Sequence, residues 1–193
     1  MNDIKALEDE TGILITEKVI NAGFTKPALY SFIKNNGYEQ LSHGVYASPE
    51  CFADELYILS LRCPAGVLSH DEALYHYGLT DREPLKHTIT VYSGYGTARL
   101  KNDGVKVYTV KKELLEIGKT SVKTNLGHIV SMYDLERTIC DMVRSRNNID
   151  IQDYQTALKS YVKRKDKDLN KLMEYAVLFH VDNKIREYME VLL

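Results

Sequence analysis

Residues 25–48 read TKPALYSFIKNNGYEQLSHGVYAS, and this stretch decides the N-terminal fold. Thr25 can cap a helix through its hydroxyl, and Pro27 falls in the first turn, where its missing N–H costs little. The helix runs to Asn35-Asn36 and Gly37 ends it. Tyr38–Leu41 and Val45–Ser48 then flank Ser42-His43-Gly44, a hairpin whose turn Gly44 can close. Within the helix Leu29, Phe32, Ile33 and Asn36 fall on one side, expected to pack inward. Lys26, Tyr30, Ser31, Lys34 and Asn35 share the other side at spacings of three and four. Working back, Thr16–Ala22 predicts a helix of about two turns ended by Gly23, and Ile4 and Leu7 give a first helix its apolar edge, with Gly12 as its stop. Three helices followed by a hairpin is the order of a winged helix-turn-helix.

That order points to double-stranded DNA. A helix in the major groove needs amides and hydroxyls for base edges and lysines for phosphates, as on the face of Lys26, Tyr30, Ser31, Lys34 and Asn35. Lys18 and His43 are expected to hold the backbone. A mixed polar face is also what any solvated surface helix carries; the adjoining turn and hairpin favour DNA.

Charge is distributed against this reading. The chain carries −2 overall, and residues 1–50 hold four lysines, no arginine and seven acidic residues. Lys5, Lys18, Lys26 and Lys34 neutralise few phosphates, so modest affinity is expected from this part alone. Residues 101–193 hold 17 basic and 14 acidic residues. Lys159, Lys163, Arg164, Lys165, Lys167 and Lys171 form a basic run, read as a solvated helix end or an accessory nucleic-acid contact.

Downstream, Ala53–Leu61 predicts a helix, and Pro64-Ala65-Gly66 breaks the chain at an expected boundary between residues 1–64 and 65–193. Ser69-His70-Asp71-Glu72 has the spacing of a capping box opening a short helix through Tyr77. His87–Tyr92 and Val105–Val110 predict strands with turns at Gly94-Tyr95-Gly96 and Asn102-Asp103-Gly104. Thr120–Thr124 and His128–Met132 predict a hairpin. Asp134, Asp150, Asp166 or Asp168, and Asp182 introduce four helices. Tyr154, Ala157, Leu158 and Tyr161 recur at three and four, as do Leu169, Leu172, Met173, Ala176 and Leu178-Phe179. The fold class is therefore α+β: a winged helix-turn-helix, then a small sheet with a C-terminal helical bundle.

The apolar fraction of 44% is that of a globular protein. No apolar run reaches the ~18 residues of a membrane span, and the acidic N-terminus lacks the apolar core of a signal peptide, so a cytoplasmic protein is expected. Cys51, Cys63 and Cys140 lack C-x-x-C pairing and read as reduced, packed thiols. Gly118-Lys119-Thr120 lacks the earlier glycine of a phosphate loop, Glu113 standing there. His70, Asp71, Glu72 and His76 read as structural rather than as metal ligands. Arg137 and Asp141, four apart, read as a buried or half-buried ion pair. No catalytic residue, metal or cofactor is expected. The alternative is a metal-dependent nuclease to which the winged domain delivers substrate; its nearest motif, Asp182-Asn183-Lys184, lies at a helix start.

The chain resembles the AbiEi-type antitoxins of bacterial abortive-infection systems. The resemblance runs through Ile15-Thr16, Asn21–Phe24 and His43–Tyr46, then Leu68–Leu74 with His76–Thr80, and most distinctively Tyr133–Asp141. It implies a repressor that binds inverted repeats ahead of its own operon. It also implies an antitoxin that counters a nucleotidyltransferase-like toxin without a stable complex, the C-terminal domain being needed for the effect. This chain is more acidic in its winged part than such a role favours. With no long heptad run, a monomer pairing on DNA is expected.

Overall fold

The computed structural model describes residues 3–52 and 54–192. Its chain divides into two units, one of residues up to Pro64 with Lys123–Ile129, the other of Ala65–Val122 with Val130 onward. The sequence boundary at Pro64 missed the segment 123–129, whose partners lie far away in sequence. The fold is α+β, with two small sheets and a helical C-terminus. No helix among the described residues is long and apolar enough to cross a membrane.

In the first unit the expected first helix is a single 3-10 turn, Ile4–Leu7, capped by Asp3. Asp9 then reverses the chain: its Oδ1 accepts from the N–H groups of Thr11 and Ile13 and from the Thr11 hydroxyl. That turn releases Ile13–Ile15 as strand β1, too short for a periodic signal. Helix α1 spans Thr16–Asn21 and α2 Lys26–Asn35; Thr25 Oγ1 accepts from the N–H of Ala28. Leu29 and Ile33 of α2 are buried and Phe32 half-buried. Asn36, expected to pack inward, is instead exposed, its amide donating to the Phe32 carbonyl.

Strands β2 (Glu39–Ser42) and β3 (Val45–Ala47) form the hairpin, Ser42 facing Val45 across His43-Gly44. Gly44 has φ of 76°, a conformation glycine adopts without penalty. The sheet order is β1-β3-β2, antiparallel throughout. Ile4, Leu14, Val19, Leu29, Ile33 and Tyr46 form its core. Helix α3 spans Glu55–Arg62, with Asp54 as cap; Ala53, expected to open it, lies outside the described residues.

The second unit holds β4 (Val67–Leu68), α4 (Asp71–His76), β5 (Thr88–Tyr92), α5 (Ala98–Asn102), β6 (Lys106–Val110), β7 (Lys119–Lys123) and β8 (Ile129–Tyr133). The sheet order is β6-β5-β4-β8-β7. Strands β5 and β6 pair in parallel, so the chain must cross over between them, and α5 lies where the sequence suggested only turns. Helices α6 (Leu135–Arg144), α7 (Ile151–Lys163), α8 (Leu169–Leu178) and α9 (Asp182–Leu192) complete it. Asp134, Asp150 and Asp168 cap the first three; Asp166 instead pairs with Arg164. Ile139, Tyr154, Ala157, Leu158, Tyr161, Leu172 and Ala176 pack in one core, whereas Leu178 is exposed.

The capping box is absent. His70, not Ser69, stands at the N-cap position of α4, with φ of 51° and ψ of −117° and no side-chain cap bond. The N–H of Glu72 goes to Thr88 Oγ1, and the Glu72 carboxylate meets His87 Nδ1 at 2.6 Å. Such a backbone costs about 1–3 kcal/mol and persists only where its surroundings hold it. Here the His70 ring stacks on Tyr108 at 3.4 Å between centroids, and its two nitrogens meet the hydroxyls of Ser69 and Ser145 at 3.0 and 3.1 Å. Burial, reinforced by Arg144, Lys106 and Arg137, holds its pKa well below the usual value, so the ring is neutral.

Candidate nucleic-acid interface

The sequence nominates Lys18, Lys26, Tyr30, Ser31, Lys34, Asn35 and His43, and all seven are exposed. Lys18, Lys26, Tyr30 and His43 converge on one groove of about 980 Å³. Its walls are α1, the start of α2, the β2–β3 hairpin, and Ser60, Leu61 and Pro64 at the end of α3. The N–H of Thr16 donates to the Gly44 carbonyl at 2.8 Å, tying the start of α1 to the hairpin turn. Tyr30 is 51% exposed, and its hydroxyl bonds to that of Tyr46, which is buried in β3. Burial, then the Tyr30 hydroxyl, pushes the Tyr46 phenol above its ordinary pKa. Ser31, Lys34 and Asn35 lie further along α2, outside the groove lining.

Thr16, Asn21 and Gln40 are among the polar groups of the groove that escaped the sequence reading. Thr16 Oγ1 is buried without a hydrogen-bond partner, and Gln40 and Asn21 line the walls. Thr16 and Asn21 are the end residues of α1, read only as helix boundaries. Gln40 sits opposite Tyr46 in the hairpin register, and that pairing was its one available signal.

The structure also accounts for the unfavourable charge count. Among the described residues lining the groove, Glu17 is the one carboxylate, against Lys18 and Lys26. Glu8, Asp9, Glu10 and Glu50 line a different cleft of about 370 Å³, with Phe52 and Leu126. The excess of acid is thus segregated from the groove.

In the basic run, three members hold structure. Arg164 donates to the Tyr77 carbonyl at 2.6 Å and forks onto Asp166; Lys167 donates to the Arg164 carbonyl; Lys171 pairs with Asp134 at 2.8 Å. Lys159, Lys163 and Lys165 are exposed and available to an anionic partner.

The Tyr133–Asp141 stretch is a structural device. The Arg137 side chain has no exposed surface. Its guanidinium lies 3.9 Å from the ring centroids of both Tyr133 and Phe179. Nε donates to Asp141 Oδ2 at 3.0 Å, and another nitrogen donates to the carbonyls of Leu114 and Ile117. Arg144 approaches the second Asp141 oxygen at 3.3 Å. Burial pushes the Asp141 carboxyl up, against the pull of both guanidiniums. Glu136 accepts from the N–H of Asp168 and from the Tyr161 hydroxyl, joining α6 to α7 and α8. Asp141 is thus committed to arginines. Among the described residues no three His, Cys, Asp or Glu side chains cluster as metal ligands would. Gly118-Lys119-Thr120 leads into β7, not a helix.

No family model matches the sequence, and no curated protein matches it. Among solved structures the chain is similar to the RV2827C protein from Mycobacterium tuberculosis, known from its crystal structure. The two are 13% identical with a TM-score of 0.64, over 90% of this chain and 69% of that one, a likeness of fold.

Proposed function

We propose that the first unit is a winged helix-turn-helix that binds double-stranded DNA, and that the protein represses its own operon through inverted repeats in the promoter. The groove carries this reading: two lysines, a tyrosine and a histidine from α1, α2 and the hairpin turn face one concavity with a single carboxylate. A short first helical turn, then β1-α1-α2-β2-β3 in sheet order β1-β3-β2, supports it. In this reading α2 enters the major groove with Lys26, Tyr30, Ser31, Lys34 and Asn35, and Lys18 and His43 hold the backbone. We further propose an AbiEi-type antitoxin role for the second unit against a nucleotidyltransferase-like toxin, supported by the resemblance that runs through Tyr133–Asp141. Both roles assign the protein to the bacterial cytoplasm.

The test is a mobility-shift titration on the duplex immediately upstream of the gene, against a duplex with scrambled repeats. Three lysines on phosphates give a slope of log affinity on log salt of about −3, at about −0.9 per phosphate. Lys34→Ala is expected to weaken binding and bring that slope to about −2. Equal affinity for the two duplexes would refute operator recognition, and an unchanged slope would remove Lys34 from the phosphate contacts. For the antitoxin role, co-expression with the neighbouring toxin gene should restore growth, and Arg137→Ala, which disrupts the second unit and leaves residues 1–64 and 123–129 in place, should weaken the rescue.

A further inference from the structure

Tyr30 is the one large apolar side chain that α2 leaves exposed. It stands four residues after Lys26 and four before Lys34, so the three share one stripe of the helix. At a rise of about 1.5 Å per residue the two lysine positions are about 12 Å apart along the axis, with Tyr30 midway. The burial of Leu29 and Ile33 fixes the rotation of the helix, and with it the direction of this stripe.

The Tyr30 ring is pinned at both ends. Its Cα belongs to α2, and its hydroxyl bonds to that of Tyr46, which is 7% exposed in β3. Tyr46 in turn faces Leu14 of β1 and Gln40 of β2 in the sheet register. A tyrosine held in this way loses little conformational freedom on binding. The other side chains of its face, Lys26, Ser31, Lys34 and Asn35, all carry charges or hydrogen-bonding groups, which suit phosphates and the polar edges of bases. What Tyr30 adds is rigid apolar surface. The apolar feature on the floor of a major groove is the 5-methyl group of thymine, which the other three bases lack.

We propose that Tyr30 is a specificity-determining residue that reads thymine through its 5-methyl group, and that Tyr46 is the positioning residue that holds its ring for the contact. The inference deepens the nucleic-acid reading above and rests on it. A major groove is about 12 Å wide, a span that the two lysine positions match, so phosphates on either side hold Tyr30 over the base edges. The ring does the reading, and the hydroxyl bond aims it. Removing either hydroxyl therefore has the same effect, and removing both adds nothing further.

The probes are a fluorescein-labelled duplex of the DNA immediately upstream of the gene and the same duplex with deoxyuridine for every thymidine, which removes the methyl groups. The full chain should bind the thymine duplex about fourfold more tightly, the worth of one buried methyl group. Tyr30→Ala should bind the two equally. Tyr30→Phe and Tyr46→Phe should each narrow the preference to about twofold, and the double variant should match either one. A fourfold preference that survives Tyr30→Ala would show that the methyl groups act through duplex shape, and overturns the inference. So does equal binding of both duplexes by the unaltered chain, a result that leaves DNA binding itself standing. A larger loss in Tyr30→Phe than in Tyr46→Phe assigns the reading to the hydroxyl and overturns it too. Tighter binding to a single strand, kept with uracil, replaces it with stacking on unpaired bases. A chain that binds neither duplex sinks the nucleic-acid reading and this inference together.

Discussion

Arg137→Ala is expected to remove about 3–5 kcal/mol from the stability of the second unit, the cost of breaking a buried ion pair by deleting one partner. The side chain fills space between Tyr133 and Phe179, so its loss opens a cavity as well as stranding the carboxylate. The Leu114 and Ile117 carbonyls lose their donor too. A protein of ordinary stability has about 5–15 kcal/mol in all, so the variant stands near the threshold of folding. Asp141→Leu placed in an Arg137→Met background should recover most of the loss, because apolar replacement of a buried pair is often neutral or stabilising. Urea titration followed by circular dichroism of α6–α9 measures both. A loss under about 1 kcal/mol would mean that the pair is no keystone.

Gly118→Ala carries the second large effect and acts on the same side chain from outside. A Cβ at position 118 would stand 2.6 Å from Arg137 Cβ, 3.0 Å from Arg137 Cγ and 3.2 Å from Tyr175 Cε2. The backbone there has φ of +74°, which itself costs an L-residue about 1–2 kcal/mol. Neither obstacle can move easily: Arg137 is hydrogen-bonded on the far side, and the Tyr175 hydroxyl donates to Asp134 Oδ2 at 3.2 Å. Overpacking adds about 1–3 kcal/mol. The midpoint of thermal unfolding should drop by about 10 °C or more. A change of a degree or two would show that the loop yields, and that close approach to Arg137 is not why glycine occupies this position.

Local chemistry was legible in the sequence and distant chemistry was not. The Arg137–Asp141 pair and the caps Thr25, Asp134, Asp150 and Asp168 depend on neighbours two to four residues away, and each is present. The capping box failed because both of its groups have better partners on or beside β5: Thr88 takes the amide and His87 the carboxylate. Parallel pairing of β5 with β6 left no local trace, and α5 was lost with it. In the groove, the exposed face of α2 nominated Lys26 and Tyr30 and the turn nominated His43. Gln40 and Thr16 belong there by tertiary proximity alone. Counting charge over residues 1–50 hid the separation of Glu8, Asp9, Glu10 and Glu50 into their own cleft.

The first unit is discontinuous in sequence, and this has a consequence during synthesis. When Pro64 leaves the ribosome, the Asp54 carboxylate still lacks Thr124 and His128, and the Tyr57 ring has nothing to stack on. The unit closes only after the chain through Ile129 has emerged, which makes it slower to form than a contiguous segment of the same size. A fragment cut at Pro64 would therefore be born incomplete, and residues 123–129 supplied in trans as a peptide should order it.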